Sequence, residues 1–446
     1  MRRIGTLTVS ALAVLIAPPL YLLLDLAVVG RLGGTELAAL AVATLVLAVI
    51  STQLTFLSYG TTARSARRFG AGDRAGAIAE GVQASWIALV VGVTIVAAAW
   101  VLAPTVLGLL VGDSSPAAPV VADDAVGWLR IAVFGVPMIL ASMAGNGWMR
   151  GVQDTRRPVV FVVAGLAIAA VLVVGLVHGI GFFPRLGLDG SAVANVIGQS
   201  VSGILFVAWL IRETLRGRQA RSRWSLLRPR WAVIGAQLRM ARDLVVRSLS
   251  FQICFLSAAA VAARFGVADV AAHQLVLQLW EFMSLFLDSV AIAAQALVGA
   301  ALGAGSVAVA RTVARRVTVV SVIAAVAMAA LFAAGASVLP RVFTTDQDVL
   351  DAIGVPWWFF VAMLPIAGVV FALDGVLLGS GDAAFLRTAT LIAALAGFLP
   401  LIWLSLVFDW GLAGIWTGLV VFMLVRLVTV GWRMRSGRWA RTGAQR

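Results

Sequence analysis

The side chains with the greatest capacity for chemistry in this sequence are acids and amides that interrupt long apolar stretches. Asp25 lies in the apolar run 20–29, and Tyr21 precedes it by one helical turn on the same face. A charge at the centre of a membrane costs about 2.5–3.5 kcal/mol on insertion scales, so a carboxylate there is a candidate functional group. Burial disfavours the charged form of a carboxylate, and we therefore predict that Asp25, with Tyr21 beside it, binds a proton or a sodium ion. The alternative is that neighbouring hydroxyl groups satisfy Asp25 and that it only locks helix packing.

A second group of polar side chains shares one face of a single helix in the second half of the chain. Helical spacing places all of its members on one stripe, and a stripe of this kind facing lipid would be very costly. We predict that it faces a water-filled cavity; the alternative is hydrogen bonding between helices. The members are Gln274, Gln278, Glu281, Asp288 and Gln295.

Four more polar side chains are candidates for lining a cavity. Asp374 precedes a glycine in the tenth apolar stretch, and Asn146 precedes a glycine at the corresponding place in the first half. Asn195 and Gln199 lie one helical turn apart and give the sixth apolar stretch a polar face. His273, at the start of the eighth stretch, is predicted to cap the helix or to form a hydrogen bond.

The sequence carries no pattern that is typical of an enzyme. No His, Cys and Asp residues have the spacing of a metal site, and no serine or cysteine lies at a defined distance from a base. The segments 70–72 and 303–305 are rich in glycine but lack the lysine of a phosphate-binding loop, so we predict tight turns with positive φ. We therefore expect no enzymatic activity, no metal ion and no cofactor, and a transport process driven by an ion gradient.

The elements that must position these side chains are membrane helices. The chain of 446 residues is 61% hydrophobic and 12% charged, with a mean hydropathy of +1.02, whereas an average soluble domain is about 25% charged. A helix that crosses a bilayer needs about 20 apolar residues. We predict an all-α integral membrane protein with twelve transmembrane helices. The apolar stretches are 4–30, 38–60, 82–110, 126–149, 157–180, 187–213, 244–263, 270–299, 314–338, 353–379, 386–407 and 411–432.

The basic residues, all of them arginine, predict the orientation in the membrane. With the amino terminus inside, 27 of the 34 arginines fall on the cytoplasmic side, and the outer loops carry acids such as Asp113. We predict a multi-pass protein of the bacterial cytoplasmic membrane with both termini in the cytoplasm. The basic segment 212–242 is expected to bind anionic lipids, and nucleic acid is the weaker alternative.

The two halves of the chain resemble one another. Ordered pairs of short motifs recur with an offset that drifts from 233 to 224 residues, including Gly70–Gly72 with Gly303–Gly305 and Gly187–Gly190 with Gly411–Gly414. Six helices in each half give parallel repeats, and such repeats place a substrate cavity between two bundles. We predict lobes at 1–213 and 241–446, joined by a cytoplasmic linker at 214–240. A channel, a transporter and a flippase are all compatible with this arrangement.

An ordered set of motifs resembles the MATE (multidrug and toxic compound extrusion) family, and in particular its DinF-like branch. The motifs are at 19–33, 69–73, 149–155, 271–274, 291–299 and 373–382. The resemblance implies a V-shaped pair of six-helix lobes that alternate between outward- and inward-facing states. It also implies export of small organic compounds, often cationic and amphipathic, in exchange for H+ or Na+. The family's first-helix aspartate corresponds to Asp25.

The sequence departs from the family pattern in ways that bear on the coupling ion. Ser10 stands where many members have a proline at which a bend has been proposed. The fifth helix places Ala169 and Val173 near the positions of an asparagine and an aspartate that partner the first-helix acid. Sodium prefers several oxygen ligands, so we expect H+ coupling at Asp25 and treat Na+ there as second choice. Glu281, Asp288 and Asp374 form the fallback coupling site, although the acid that other branches use in helix ten corresponds to a position near Ala367.

Two other functions within the same superfamily remain open. A flippase for lipid-linked precursors usually has extra helices and a cationic cavity, whereas the intramembrane charges here are acidic. An organic-anion exporter needs arginines that face the cavity, and the candidates within the apolar stretches are Arg247 and Arg426. Both are expected close to the cytoplasmic face. We expect a monomer.

Overall fold

The computed structural model describes residues 2–112, 116–216 and 227–444. Within these ranges twelve helices are long and apolar enough to cross a membrane. They are α1 (Arg2–Val29), α2 (Gly34–Gly70), α3 (Arg74–Val111), α4 (Ala118–Gly151), α5 (Arg157–His178), α6 (Leu188–Arg216), α7 (Trp231–Phe265), α8 (Val267–Gly303), α9 (Val307–Ala334), α10 (Gln347–Gly379), α11 (Ala383–Val407) and α12 (Gly411–Arg435). Each predicted apolar stretch overlaps one of these helices, so the predicted all-α membrane architecture is confirmed.

Three of the helices contain an irregular turn. In α2 the helical pattern is interrupted at Leu54–Thr55. A 3-10 turn at Val133–Gly135 precedes Pro137 in α4, and a π turn at Ala394–Phe398 precedes Pro400 in α11. Proline cannot donate the backbone hydrogen bond of a regular helix, which explains why the ladder changes register in the turn before it.

The chain divides into two compact units, each with its own apolar core. The amino-terminal unit comprises Ser10–Phe69 and Asp73–Leu238, and the carboxy-terminal unit comprises Arg239–Arg446 with Met1–Val9 and Gly70–Gly72. This division differs from the predicted lobe 1–213 at Met1–Val9 and Gly70–Gly72, and the boundary between the units falls after Leu238, inside the predicted linker. Within the predicted linker 214–240, α6 ends at Arg216 and α7 begins at Trp231, and residues 217–226 lie outside the described part of the chain.

The predicted glycine turns are present at repeat-related positions. Gly72 has a φ of 77° and Gly305 has a φ of 79°, a backbone conformation that glycine adopts without steric cost. The residue after each of these glycines caps the next helix: the side chain of Asp73 accepts a hydrogen bond from Gly76 N at 2.8 Å, and that of Ser306 accepts one from Val309 N at 3.3 Å. The segments are therefore turns, as predicted, that start α3 and α9.

Helix packing repeats in the same way inside each unit. In the amino-terminal unit α4 packs against α2, and in the carboxy-terminal unit α10 packs against α8. Both contacts are made by glycines, at which an added Cβ atom would strike the backbone of the neighbouring helix. The contacts are Gly147 with Ser58 and Gly151 with Thr62 in the first unit, and Gly375 with Ala291 and Gly379 with Gln295 in the second. The partners on α2 and α8 are related by the offset of 233 residues found in the sequence. The internal repeat is therefore also a repeat of close backbone contacts.

Candidate functional site

Asp25 is the most deeply buried acid of the amino-terminal unit that has no basic partner. Its residue is 1% exposed. The carboxylate oxygen Oδ2 accepts a hydrogen bond from Ser191 Oγ of α6 at 2.9 Å, and Ser191 Oγ in turn accepts one from Trp128 Nε1 of α4 at 3.1 Å. Among the described residues, Asp25 Oδ1 and the hydroxyl of Tyr21 have no hydrogen-bond partner. Three helices therefore converge on a carboxylate that has one satisfied and one unsatisfied oxygen.

The spacing of residues in the sequence does not predict the contact between Asp25 and Ser191, which are 166 residues apart. Ala169 and Val173 of α5 are buried and apolar, so α5 gives Asp25 no polar contact, as the departure from the family pattern implied. α6 supplies a polar partner through Ser191. Ser191 is not among the predicted site residues, although a hydroxyl one turn before Asn195 in an apolar helix was a signal for it.

The other predicted polar residues of the amino-terminal unit differ in their surroundings. Asn146 of α4 is buried, and Asn195 and Gln199 of α6 are half-buried. Within the described residues, Oδ1 of Asn146 and Oδ1 of Asn195 accept no hydrogen bond. These amides thus keep acceptor capacity that the unit itself does not use.

The polar stripe of α8 divides into an exposed part and a buried part. Gln274, Gln278 and Glu281 are exposed, Asp288 is half-buried and Gln295 is buried. The other face of the same helix packs into the core of the carboxy-terminal unit. Exposure argues against the alternative in which the first three members join helices by hydrogen bonds.

His273 does not have the role predicted for it. It is buried, its ring meets Trp416 edge-on with centroids 5.9 Å apart, and neither ring nitrogen has a hydrogen-bond partner within the described chain. The residue before α8 is Gly266, which makes no side-chain cap. The prediction of a capping or hydrogen-bonding histidine is wrong, because its face of α8 packs into the core.

Asp374 lies in an ion cluster that ties three helices of the carboxy-terminal unit together. Its Oδ2 is 2.6 Å from Arg247 Nη2 of α7 and also pairs with Arg426 of α12. Both guanidinium groups also lie against the ring of Phe251, at 5.6 Å and 5.2 Å from its centroid. Two cations and one carboxylate leave the cluster with one surplus positive charge, so Asp374 is neutralised in a way that Asp25 is not.

The sequence contained a signal for this cluster. Arg247 and Arg426 lie within predicted spans, and an intramembrane arginine requires a partner. The expectation placed both near the cytoplasmic face and left them unpaired with any acid. Arg426 is 2% exposed and paired with Asp374, because folding brings residue 374 beside residue 426; its position near the cytoplasmic face stays a prediction.

A further buried acid, Glu80 at the start of α3, was absent from the predicted site. It forms a two-point ion pair with Arg64 at 2.7 Å and 2.9 Å and accepts a hydrogen bond from Gln237 at 2.9 Å. This contact holds the first turns of α7 to α2 and α3 within the amino-terminal unit, and we assign it a structural role. In the part of the chain that the structure describes, no three His, Cys, Asp or Glu side chains form a group that could hold a metal ion.

Comparison with known proteins identifies the family. The MatE family model matches residues 11–175 and 244–403, which together are more than half of the chain. The chain belongs to the MatE family. It is therefore a membrane transporter of the multidrug and toxic compound efflux type, with relatives in the DinF group, and members of this family are transporters and not enzymes.

Relatives and solved structures of MatE proteins match almost the whole chain. Protein DETOXIFICATION 44, chloroplastic, of Arabidopsis thaliana is 30% identical over 98% of this chain and 83% of its own length. The DNA damage-inducible protein F of Escherichia coli strain K12 is 29% identical over 95% of this chain and 90% of its own. A crystal structure of MATE in the bent conformation matches with a TM-score of 0.86 at 23% identity, over 98% of this chain and 95% of that one.

The residues of the two acid sites fall partly inside and partly outside the ranges matched by the MatE model. Asp25 and Asp374 lie within them. Ser191 and Arg426, which contact these acids, lie outside them. Arg247, the other partner of Asp374, lies within the matched ranges.

Proposed function

We propose that this chain exports organic, cationic and amphipathic compounds in exchange for protons, by alternating access. The observation that carries the proposal is Asp25, a buried carboxylate with no basic partner among the described residues and with a free oxygen. A bare carboxylate in an apolar interior is costly, and a proton or a cation removes that cost. In the described part of the chain, Ser191 is the one polar side chain that forms a hydrogen bond with Asp25, and this suits a proton better than a sodium ion, which needs several oxygens.

The coupling follows from the requirement that proton and substrate bind the two transport states differently. If the proton stabilises one transport state and the substrate stabilises the other, binding of either one promotes release of the other. The factor by which each changes the affinity for the other is the same. Gln274, Gln278 and Glu281 support a role in substrate binding. They are exposed on a helix of membrane depth, where polar side chains are stable only beside water. Glu281 would attract the cationic part of a substrate.

We also propose the predicted location and lipid contacts for this transporter. The arginine distribution favours a cytoplasmic membrane with both termini inside. Anionic lipids would bind the basic segment 212–242, of which 217–226 lie outside the described residues. We propose that it acts as a monomer and needs no cofactor other than the coupling ion.

The test is transport by the full chain in proteoliposomes. Wild-type protein is expected to move an organic cation under an imposed pH gradient and to ignore an imposed Na+ gradient. Asp25→Asn keeps the size of the side chain but cannot exchange a proton, so pH-driven transport should be lost. Thr94→Ala, which removes an exposed hydroxyl bonded to its own helix, is the control. Full transport by Asp25→Asn would reject the proposal and move attention to Glu281.

A second candidate function rests on the cluster around Asp374. Its surplus positive charge within the carboxy-terminal unit favours an organic anion as substrate. Arg247 is the accessible member, with a side chain 17% exposed, whereas Arg426 is buried. In the same vesicles an organic-anion exporter would move a carboxylate compound, and Arg247→Gln would remove that activity and spare any transport of cations.

A further inference from the structure

Two cavities occupy repeat-related places in the two units. The amino-terminal cavity, of about 490 Å3, lies among α3, α4 and α6, and the carboxy-terminal one, of about 440 Å3, lies among α9, α10 and α12. Ile78 in the first and Arg311 in the second are 233 residues apart, which is the offset of the sequence repeat. The charges that line the two cavities can therefore be compared directly.

The amino-terminal cavity carries acids that neutralise two of its three arginine charges. Arg74 pairs with Glu213 at 2.7 Å, Arg216 pairs with the same acid at 3.5 Å, and Arg157 pairs with Asp154 at 2.5 Å. Each arginine at this cavity therefore has a carboxylate partner within the wall, although Arg74 and Arg216 share Glu213, and the net charge of the lining is one positive.

The carboxy-terminal cavity has the same number of arginines and no acid. Arg311, Arg315 and Arg435 line it, and within the described residues none of the three forms an ion pair with a carboxylate. All three are exposed. Three arginines that line one cavity without a carboxylate in its wall favour the binding of an anion, and the planar guanidinium suits the oxygens of a phosphate in particular.

The apolar part of the cavity wall indicates that the anion is the headgroup of an amphiphile. Arg311 and Arg315 lie one turn apart near the start of α9, and Arg435 is the last residue of α12. The cavity continues towards the middle of the helices along Val319 and Leu373, which are apolar. A charged mouth above an apolar wall matches an amphiphile with a negative headgroup, and a soluble anion would leave the apolar wall unused.

We propose that this cavity binds an anionic phospholipid, with the phosphate on Arg311, Arg315 and Arg435 and an acyl chain along Val319 and Leu373. The site is separate from the segment 212–242 and does not depend on the coupling ion. Basic pockets between transmembrane helices are chemically suited to such headgroups.

The experiment measures lipid binding to the purified full chain in neutral detergent by native mass spectrometry. Phosphatidylglycerol is titrated against phosphatidylcholine and, in a separate arm, against inorganic phosphate. The test variant is Arg311→Gln/Arg315→Gln. The control is Arg316→Gln/Arg438→Gln, which removes two exposed arginines of the same unit that do not line the cavity. The two variants lose equal charge, so non-specific attraction falls equally.

We expect one tightly bound phosphatidylglycerol and no comparable phosphatidylcholine. Each basic side chain at an anionic surface contributes about a fivefold factor, so the test variant should bind about 25-fold more weakly and the control should change less than fivefold. If the double variant does not fold, Arg435→Gln should weaken binding about fivefold. The proposal would be overturned if both double variants lost affinity for phosphatidylglycerol equally, or if the two lipids bound equally well. Displacement of the lipid by millimolar phosphate would also overturn it.

Discussion

Removal of the charge on Asp374 should destabilise the carboxy-terminal unit strongly. Its carboxylate is the shared counter-ion of Arg247 and Arg426, and Arg426 is 2% exposed. Asp374→Asn keeps the size of the side chain but leaves two neighbouring guanidinium groups without a negative charge. Breaking a buried ion pair from one side costs about 3–5 kcal/mol, which lowers the folding equilibrium constant roughly a hundredfold to a few thousandfold.

Two further variants separate charge from packing. Arg247→Gln leaves the pair of Asp374 with Arg426 intact and removes the more exposed cation, so it should cost at most about 1 kcal/mol. Asp374→Asn combined with Arg426→Met removes the buried charges together. It should recover most of the lost stability, because an apolar replacement of a buried pair is often neutral or stabilising.

The measurement is equilibrium unfolding of each full-length variant in mixed micelles, followed by tryptophan fluorescence. The reasoning would be refuted if Asp374→Asn lost less than about 1 kcal/mol, which is the scale of an exposed pair. It would also be refuted if the double variant were less stable than Asp374→Asn alone, because the cost would then come from packing and not from unpaired charge.

Three other predictions concern helix packing, the Asp25 site and the exposed stripe. Gly375→Ala should lower the free energy of unfolding by about 1–3 kcal/mol or more, because the added Cβ would strike the backbone of α8. Gly354→Ala on the same helix is the control, because the added Cβ meets open space. In the same unfolding assay it should be neutral or stabilising. Ser191→Ala should cost about 1–3 kcal/mol by leaving a buried indole N–H and a carboxylate oxygen unpaired; an unchanged unfolding midpoint would contradict that network. Glu281→Gln should change stability by less than about 0.5 kcal/mol because Glu281 is exposed, yet it should weaken binding of an organic cation in a vesicle uptake assay, and unaltered binding would remove Glu281 from the substrate site.

The two units use their buried acids in opposite ways. In the amino-terminal unit Asp25 is bonded to a hydroxyl and retains an unpaired oxygen, and in the carboxy-terminal unit Asp374 is surrounded by positive charge. A buried acid without a counter-ion is stabilised when it takes up a proton, whereas protonation of an acid that neutralises two cations leaves those cations unpaired and destabilises its helices. This difference is why we place coupling at Asp25 and treat Asp374 as a structural or anion-related residue.

The sequence by itself determined the membrane architecture and the internal repeat, and it singled out Asp25 as the candidate for coupling. These are local or periodic properties: an apolar stretch of about 20 residues forms a membrane helix whatever its neighbours are, and the glycine before each of Asp73 and Ser306 gives the same turn in both halves. Asp25 could be singled out because a charge in an apolar run is costly wherever that run packs.

Only the tertiary structure decided which groups surround each acid and which face of each helix is buried. Ser191 reaches Asp25 from 166 residues away, and Arg247 reaches Asp374 from 127, so no spacing within one helix predicts either contact. The stripe on α8 looked uniform in sequence, but its outer members are exposed and Gln295 is buried, because the neighbouring helices cover only part of it. Helical periodicity gives the angle of a side chain on its own helix, and what that side chain meets depends on helices that lie far away in the chain.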